Sequence, residues 1–287
     1  MFDLVSHWPK IINGLTFAGL LFVIASGFTL VFGLMRVINL AHGVYYILGA
    51  YMTWQIQQLG GSWAMGILIA TISVGVMSTI SYFLISRVKG DMPQTLLTLG
   101  IGQVVADLTL WIWGGLPKTI NPPPDISQPI TILGFTYPGF RYFVLCVAIL
   151  LGVSLWFLLQ KTQLGRIIRA GVDNRPMVSA LGINIDRLFR EVFILGGLIT
   201  GFAGAIGGSY LAFGSGSAND ILTFALVVVI IGGLGSVAGS AVGSVIVGLV
   251  DSFGRVYLSE MAIFLLSGTL ILVLAFRPTG LFGKEEK

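Results

Sequence analysis

Residues 221–250 read ILTFALVVVIIGGLGSVAGSAVGSVIVGLV and contain no charged side chain. A bilayer has a hydrocarbon core of about 30 Å, which about 20 apolar helical residues span. A continuous helix over residues 221–250 would be about 45 Å long, which is too long for one crossing. The glycine-rich cluster GGLGS at 232–236 offers a break. We therefore predict a broken-helix hairpin, with two antiparallel membrane helices joined at this cluster.

The rest of the chain has the same apolar character. Of its 287 residues, 55% are hydrophobic and only 10% are charged, whereas soluble domains carry about 25% charged residues. Long apolar runs without period-2 alternation argue against strands and against a membrane barrel. The sequence predicts an all-α polytopic membrane protein, a single domain over residues 1–287 with about nine helical segments. Besides the hairpin, the predicted segments are 11–35, 39–58, 63–86, 93–113, 139–159, 192–213 and 261–276.

Basic residues predict the orientation of these segments, because cytoplasmic loops of membrane proteins are enriched in Lys and Arg. Six of the 16 Lys and Arg lie in residues 161–191, so this loop is predicted to be cytoplasmic. Lys284 and Lys287 predict a cytoplasmic C-terminus, and counting back predicts an external N-terminus. The loop 114–138, with three consecutive prolines at 122–124, is predicted to be external and stiff.

The segments divide into two sets of four. The first set covers residues 11–113, the second covers 192–277, and a central helix at 139–160 separates them. One crossing between the sets gives them opposite topology. Inverted repeats of this kind recur in transporters and place the pathway at their interface, so we predict an inverted repeat.

Catalytic and nucleotide-binding patterns are missing from the sequence. His7 and His42 are the only histidines and Cys146 is the only cysteine, so no metal site or catalytic centre is predicted. The only Gly-Lys pair, Gly283-Lys284, lacks a phosphate-loop pattern. ATP hydrolysis, if it drives this protein, would therefore belong to another subunit. The net charge of +4 concerns membrane orientation and does not indicate nucleic-acid binding.

The loop KTQLGRIIRAGVDNRPMVSALGINIDRLFRE at 161–191 predicts two short helices. The second would be capped by Asp173 or Asn174, with Pro176 in its first turn and Gly182 after its end. Such helices suit docking to a partner protein or lying on anionic lipid, and the spacing alone leaves both open. The first helix would have one apolar face at positions i, i+3, i+4 and i+7, formed by Leu164, Ile167, Ile168 and Gly171.

The run LGRIIRAGVDNRPMVSALGI at 164–183 resembles the coupling loop of the branched-chain amino acid permeases of ATP-binding-cassette importers. It departs from that pattern at Gly171 and at Asn-Arg-Pro 174–176. Further resemblances are VINLAHG at 37–43, GAY at 49–51, GGLGS at 232–236 with Gly239, and RPTGLFG at 277–283. The matching positions of the coupling loop are Leu164, Gly165, Arg169, Ala170, Asp173, Ala180, Leu181, Gly182 and Ile183.

The resemblance implies a set of partners in a bacterial plasma membrane. It identifies the chain as similar to the shorter of two permeases that usually pair. It further implies two ATPase subunits that hold ATP and Mg and fit the coupling loop, and a periplasmic or extracellular solute-binding protein. The expected solutes are branched-chain or other small amino acids, with amides and urea as alternatives because related permeases carry them.

Two other classes of protein fit the sequence less well. An ion-coupled secondary carrier would need acids inside the membrane, and Asp107 is the only acid well inside a predicted segment. It would have no use for a large basic docking loop. A membrane enzyme would need clustered His, Asp or Glu at membrane depth, which the sequence lacks.

Four residues are candidates for the transport pathway or its gate. Asn39 and His42 either cap the second helix or line the pathway, where helix dipoles would meet a carboxylate. Gly43 follows them in the same run, and Asp107 either lines the pathway or serves helix packing near the outer end of its segment.

Two stripes of glycine are predicted to allow close helix packing, with a sliding or gating surface as the alternative. Their members are Gly197, Gly201, Gly204 and Gly208 in the first, and Gly235, Gly239 and Gly243 in the second.

Overall fold

A computed structural model describes residues 4–132, 135–173 and 175–283. Within them lie twelve α-helices, nine long and three short. The nine long helices correspond to the nine predicted segments, which confirms an all-α polytopic protein. They are α1 (Leu4–Met35), α2 (His42–Gln58), α3 (Trp63–Ile85), α4 (Asp91–Trp113), α6 (Gly139–Lys161), α9 (Ile185–Gly207), α10 (Ser217–Gly232), α11 (Val237–Tyr257) and α12 (Ala262–Phe276). The short ones are α5 (Pro124–Ser127), α7 (Gln163–Asp173) and α8 (Arg175–Ala180), and a 3₁₀ turn covers Ser259–Met261.

Among the described residues, six helices are long and apolar enough to cross a membrane: α1, α3, α4, α6, α9 and α11. The chain is therefore a multi-pass membrane protein. Helices α2, α10 and α12, with 17, 16 and 15 residues, are shorter. The predicted hairpin is present as α10 and α11. Gly233 and Gly235 in its turn have φ of 102° and 83°, values that glycine adopts without steric cost.

Side-chain caps fix where several helices begin. Ser62 Oγ accepts from Met65 N–H before α3, and Ser236 Oγ accepts from Gly239 N–H before α11. Asn184 Oδ1 accepts from Arg187 N–H before α9, which satisfies a donor that the helix leaves free. With this cap, α9 begins inside the predicted loop 161–191, which corrects the predicted start. The helix ends at Gly207 rather than at residue 213, which corrects the predicted end.

One small sheet corrects the prediction that strands are unlikely. Strands β1 (Pro129–Ile132) and β2 (Phe135–Pro138) pair antiparallel in the loop before α6. Ile130 lies opposite Tyr137, a pairing of a β-branched with an aromatic residue that favours strands. Each strand has only four residues. Their period-2 alternation is too short to stand out beside the long apolar segments of the chain.

The bundle is built around two long antiparallel helix pairs, α1 with α11 and α3 with α9. Helix α2 lies against α3 and α9 and also contacts α10, while α6 packs on α1. Apolar side chains cover the outward face of α6, including Ile149, Leu150 and Val153. This arrangement leaves α2 and α10 inside the bundle and exposes α6 to lipid.

The glycine stripes lie where helices approach most closely. A Cβ built on Gly201 would be 2.6 Å from the Cβ of Val74 on α3. One on Gly204 would overlap the carbonyl oxygen of Tyr46 on α2. The first stripe is thus shared, with Gly197 and Gly201 facing α3, and Gly204 and Gly208 facing α2. In the second, Gly239 and Gly243 face α10, whereas Gly235 lies in the hairpin turn against Gly33.

Helix α7, which belongs to the basic stretch 161–191, marks one end of the bundle. Helix α7 lies at the end where α1 finishes, since a Cβ on Gly171 would be 3.0 Å from Leu34 Cδ1. The opposite end holds the start of α1, where Lys10 Nζ donates to Tyr257 Oη at 2.7 Å. We call these the basic end and the opposite end.

Candidate functional site

Helix α2 begins inside the bundle. After α1 ends at Met35, residues 36–41 are not helical and run back along α4, where Leu40 N–H donates to Thr98 Oγ1 at 2.9 Å. The His42 ring then lies 2.9 Å from the carbonyl oxygen of Ile24. Ile24 precedes the end of α1 by eleven residues, or about 16 Å along the helix. The first turn of α2 is therefore deep in the membrane.

His42 joins three helices and does not cap α2. Its Nε2 lies 2.9 Å from Ile24 O on α1 and 3.0 Å from Thr200 Oγ1 on α9, and the residue is 1% exposed. Asn39 Oδ1 accepts from Ala41 N–H at 3.2 Å, while Ala41 is the N-cap and has no side-chain cap bond. The structure thus corrects the capping alternative for His42, whereas Asn39 bonds the backbone of the turn that leads into α2. Their role in the pathway stays a prediction.

Helix α10 begins in a similar way. After α9 ends at Gly207, residues 208–216 are not helical. Phe213 exchanges two backbone hydrogen bonds with Lys118, at 2.8 and 2.9 Å, and Ser217 Oγ accepts from Gly214 N–H at 3.1 Å. These bonds hold the segment that leads into α10.

The first turns of α2 and α10 touch at Gly43. A Cβ built on Gly43 would overlap the carbonyl oxygen of Ala218 and lie 3.0 Å from Leu222 Cβ. Only glycine allows this contact. Because the start of α2 is deep in the membrane, the start of α10 is as well. Two helix N-termini, each with free N–H groups and a positive dipole end, therefore meet inside the bundle.

A cavity of about 190 Å³ lies beside this contact, between the starts of α2 and α10 and the middle of α4. We call it the inner cavity. Asp107 lines it and accepts from Gln103 Nε2 at 3.0 Å. Asp107 thus lines the inner cavity and Gly43 lies next to it, whereas Asn39 and His42 are buried and do not line it. The polar side chains that line the inner cavity are Gln103, Asp107, Ser215 and Asn219.

A second cavity, of about 450 Å³, lies on the other side of α10, towards the opposite end. We call it the outer cavity. Asp220 of α10 lines it together with Asp251 and Arg255 of α11, a grouping that the sequence does not predict. Arg141 and Tyr46 were missed as site residues. The one available signal was that acids and arginines sit at helix ends on the same side of the membrane.

The outer cavity holds charges of both signs. Arg255 Nε donates to Asp251 Oδ2 at 2.7 Å, while Arg141 donates to the Tyr137 hydroxyl and stacks over the Tyr210 ring. Burial raises the pKa of Tyr210, so its hydroxyl stays protonated at neutral pH and can donate a hydrogen bond.

The predicted coupling residues lie on α7, on α8 and in the turn after α8. Ile168 and Gly171 on the apolar face of α7 are buried and Arg166 is exposed. The structure thus has α7 lying with its apolar face on the bundle. Leu164, Gly165, Arg169, Ala170 and Asp173 are on α7, Ala180 ends α8, and Leu181, Gly182 and Ile183 follow it.

Gly182 ends α8 in the left-handed conformation, with φ of 79°. Its N–H donates to Ser179 O at 3.0 Å, and Ile183 N–H donates to Val178 O at 3.4 Å. This pair of bonds is a Schellman motif. Helix α8 and the turn after it expose apolar side chains, since Met177 is 61% and Leu181 is 70% exposed. The capping prediction for Asp173, Asn174 and Pro176 falls on side chains outside the described residues.

A family model described as the permease component of branched-chain amino acid transport systems matches residues 10–274. The chain belongs to this permease family. The permease is 25% identical to the branched-chain amino acid permease protein BraD of Pseudomonas aeruginosa, over 99% of this chain and 98% of the relative. No solved structure matches it.

Two further relatives bear on which type of permease this is. The permease is 27% identical to LivH of Salmonella typhimurium, over 96% of both chains. It is 26% identical to LivM of Escherichia coli, over 90% of this chain but only 67% of the relative. Both relatives are named as permease proteins of high-affinity branched-chain amino acid transport systems. The permease thus matches LivH over nearly the full length of both chains, whereas it covers only 67% of LivM.

Proposed function

We propose that the permease forms the membrane pathway of an ATP-driven importer of branched-chain or other small amino acids. One observation carries this proposal: the first turns of α2 and α10 meet inside the membrane beside the polar inner cavity. Helix N-termini attract anions such as a solute carboxylate. Transporters commonly bind substrates at such interrupted helices. The names of the family and of its relatives supply the class of solute.

The proposal includes partners that complete the importer. The LivH and LivM relatives support pairing with a second, related permease. The sequence has no phosphate-loop pattern, so ATP and Mg would bind to two separate ATPase subunits. A binding protein outside the cell would deliver the amino acid. We place the protein in the plasma membrane, with the basic end and the C-terminus in the cytoplasm and the N-terminus outside.

The arrangement of the two halves of the chain as an inverted repeat would support this pathway. We infer that residues 11–113 and 192–277 are related, so that α1–α4 correspond to α9–α12. Under that correspondence the close pairs α1–α11 and α3–α9 are equivalent. The short helices α2 and α10 also become equivalent, and each follows a non-helical segment. The meeting point of α2 and α10 is then the interface between the repeats, where a pathway is expected.

Helices α7 and α8 are proposed to transmit the ATPase movement. The apolar face of α7 packs on the bundle, while α8 and the turn after it expose Met177 and Leu181. The start of α9, which follows, carries charged side chains of both signs. An exposed apolar surface rimmed by charge suits a protein partner. Lipid binding is the alternative, and it would not require a defined end to α8.

The coupling proposal is tested at Gly182. Proline cannot adopt the left-handed conformation of this residue and lacks the N–H that bonds Ser179, whereas asparagine tolerates it. We expect Gly182→Pro to lower amino acid uptake and solute-stimulated ATP hydrolysis together, at least about fivefold. Gly182→Asn should retain both. Equal activity of the two variants in the purified importer would contradict coupling through this helix end.

The function itself is tested by isolating the tagged permease with its partners from native membranes and reconstituting it in liposomes. We expect uptake of labelled leucine that requires ATP and the binding protein. Uptake driven by an ion gradient without ATP would favour a secondary carrier instead. Uptake of urea or acetamide in place of leucine would keep the importer class and correct the solute.

A further inference from the structure

The outer cavity carries a balanced set of charges that the pathway at the inner cavity does not use. Arg141 lies in the first turn of α6, Asp220 in the first turn of α10, and Asp251 with Arg255 near the end of α11. Two arginines and two aspartates give a net charge of zero. Since Asp251 and Arg255 already pair at 2.7 Å, Arg141 and Asp220 remain for a ligand that carries both a negative and a positive group.

The wall of the outer cavity also contains buried polar groups without a hydrogen-bond partner. Tyr46 is 1% exposed, and its hydroxyl has no partner within the described part of the chain. Asn13 Oδ1 is likewise buried and unpaired there. Buried polar groups in native proteins are nearly always hydrogen-bonded, and leaving one unpaired destabilises the folded state. A polar ligand in the cavity would supply the missing partners.

The remaining wall is apolar. Phe17 and Phe224 meet edge to face with ring centroids 5.2 Å apart, and Ile221 lies beside them on α10. The cavity volume of about 450 Å³ is within the usual range for small-molecule sites, roughly 300–1,000 Å³. A small zwitterion with a branched apolar side chain matches both the polar and the apolar parts of this lining.

We propose that the outer cavity binds the amino acid itself, before it passes the contact between α2 and α10. Arg141 takes the α-carboxylate and Asp220 takes the α-ammonium group, while Tyr46 and Asn13 bond to the same polar head. The apolar side chain lies against Phe17 and Phe224. This inference rests on the proposed function, because it names a binding site for the solute of the importer. It places the first site on the permease at the end away from the ATPase subunits.

The test is direct binding of labelled L-leucine to the importer purified with its partners, without its binding protein, in lipid nanodiscs. Leucinamide lacks the carboxylate and 4-methylvalerate lacks the ammonium group, so both should compete at least about tenfold less well than leucine, since charged hydrogen bonds are the stronger ones. Tyr46→Phe should weaken leucine binding roughly three- to tenfold. Arg141→Gln and Asp220→Asn should each weaken it at least about tenfold.

Tyr51→Phe is the matched control. Tyr51 is on the same helix, is fully buried and also has an unpaired hydroxyl in the described part of the chain, but it stacks on Trp113 and does not line the cavity. It should bind leucine as the wild type does. Equal losses in Tyr46→Phe and Tyr51→Phe would overturn the site. Absence of leucine binding to the wild-type complex would overturn it too.

Uptake by the complete importer separates this inference from the proposed function. If leucine is transported normally by Tyr46→Phe and Arg141→Gln, the site is wrong and the importer stands. If Arg141→Gln and Asp220→Asn weaken docking of the binding protein while leucine binding is unchanged, the charges serve docking, and this also overturns the inference. Tyr46 is too deeply buried for a docked protein to reach, so its loss should leave docking unchanged.

Discussion

Helices α2 and α10 start at the same depth and touch each other, yet their surroundings differ. The start of α2 is enclosed: Asn39, His42 and Thr98 are all buried, and His42 joins α1 and α9. The start of α10 is open, with Asn219 and Asp220 exposed and a cavity on each side. Buried, bonded elements unfold locally less readily than exposed ones. From this comparison we expect α2 to form the fixed wall of the proposed pathway and α10 to be the element that moves.

The difference also assigns separate tasks to polar residues at the same depth. A buried histidine with two partners stabilises the bundle, because leaving either partner unpaired is costly. Exposed asparagine and aspartate side chains beside a cavity cost little to change and are free to meet a solute. Changes at the start of α2 should therefore reduce stability, whereas changes at the start of α10 should reduce transport.

The largest effect is expected at the contact itself. Gly43→Ala places a Cβ on the carbonyl oxygen of Ala218, so α10 must move away from α2. Overpacking of this kind typically costs about 1–3 kcal/mol, and we expect uptake to fall at least about tenfold. Gly100→Ala on α4 is the control, because a Cβ there meets nothing within 4 Å. Normal uptake by Gly43→Ala would show that α2 and α10 need not touch.

The second prediction compares the loss of stability caused by a change in α2 with that caused by a change in α10. His42→Ala removes the ring between Ile24 and Thr200 and leaves a cavity, which we expect to cost about 3 kcal/mol. Thr223→Ala on α10, an exposed site, should change stability by less than about 0.5 kcal/mol. Thermal unfolding of the purified variants in detergent measures both. Similar melting temperatures for the two variants would remove the distinction between a fixed and an open helix.

The smallest effect concerns the segments that lead into the two helices. Thr98→Val keeps the side-chain shape but loses the buried bond to Leu40 N–H, at a cost of about 1–2 kcal/mol. Ser217→Ala loses the bond to Gly214 N–H at a half-buried site, where we expect about 0.5 kcal/mol. The melting temperatures of the two variants test this ranking. A larger loss of stability in Ser217→Ala than in Thr98→Val would contradict the distinction between an enclosed α2 and an open α10.

Much of the architecture could be predicted from the sequence because its signals are local. Nine apolar segments, the hairpin at Gly233 and the apolar face of α7 all follow from composition and spacing. The end of α8 at Gly182 followed from the special conformation that glycine allows. The bounds of the helices were less predictable. Helix α9 begins after the cap at Asn184, in a polar stretch that precedes the apolar run from which the helix was predicted.

The sites were harder to predict because they are assembled from distant parts of the chain. Val44 and Asp107 lie in separate segments, and only the return of residues 36–41 along α4 brings them to one cavity, beside Gly43. Arg141 and Asp220 are equally remote in sequence. His42 was singled out as a polar residue in an apolar run, but a sequence pattern does not show whether such a residue joins helices or faces a cavity.

The most direct test of the account measures whether water reaches the open side of α10. In a Cys146→Ser background, which removes the single native cysteine, cysteines at Asn219 and Asp107 are treated with a membrane-impermeant maleimide in the assembled importer. Ile149→Cys, exposed on the apolar face of α6, is the control. We predict that Asn219→Cys and Asp107→Cys react and that leucine slows them, while Ile149→Cys stays unlabelled. Unreactive cysteines at both inner-cavity positions would contradict a pathway between α4 and α10.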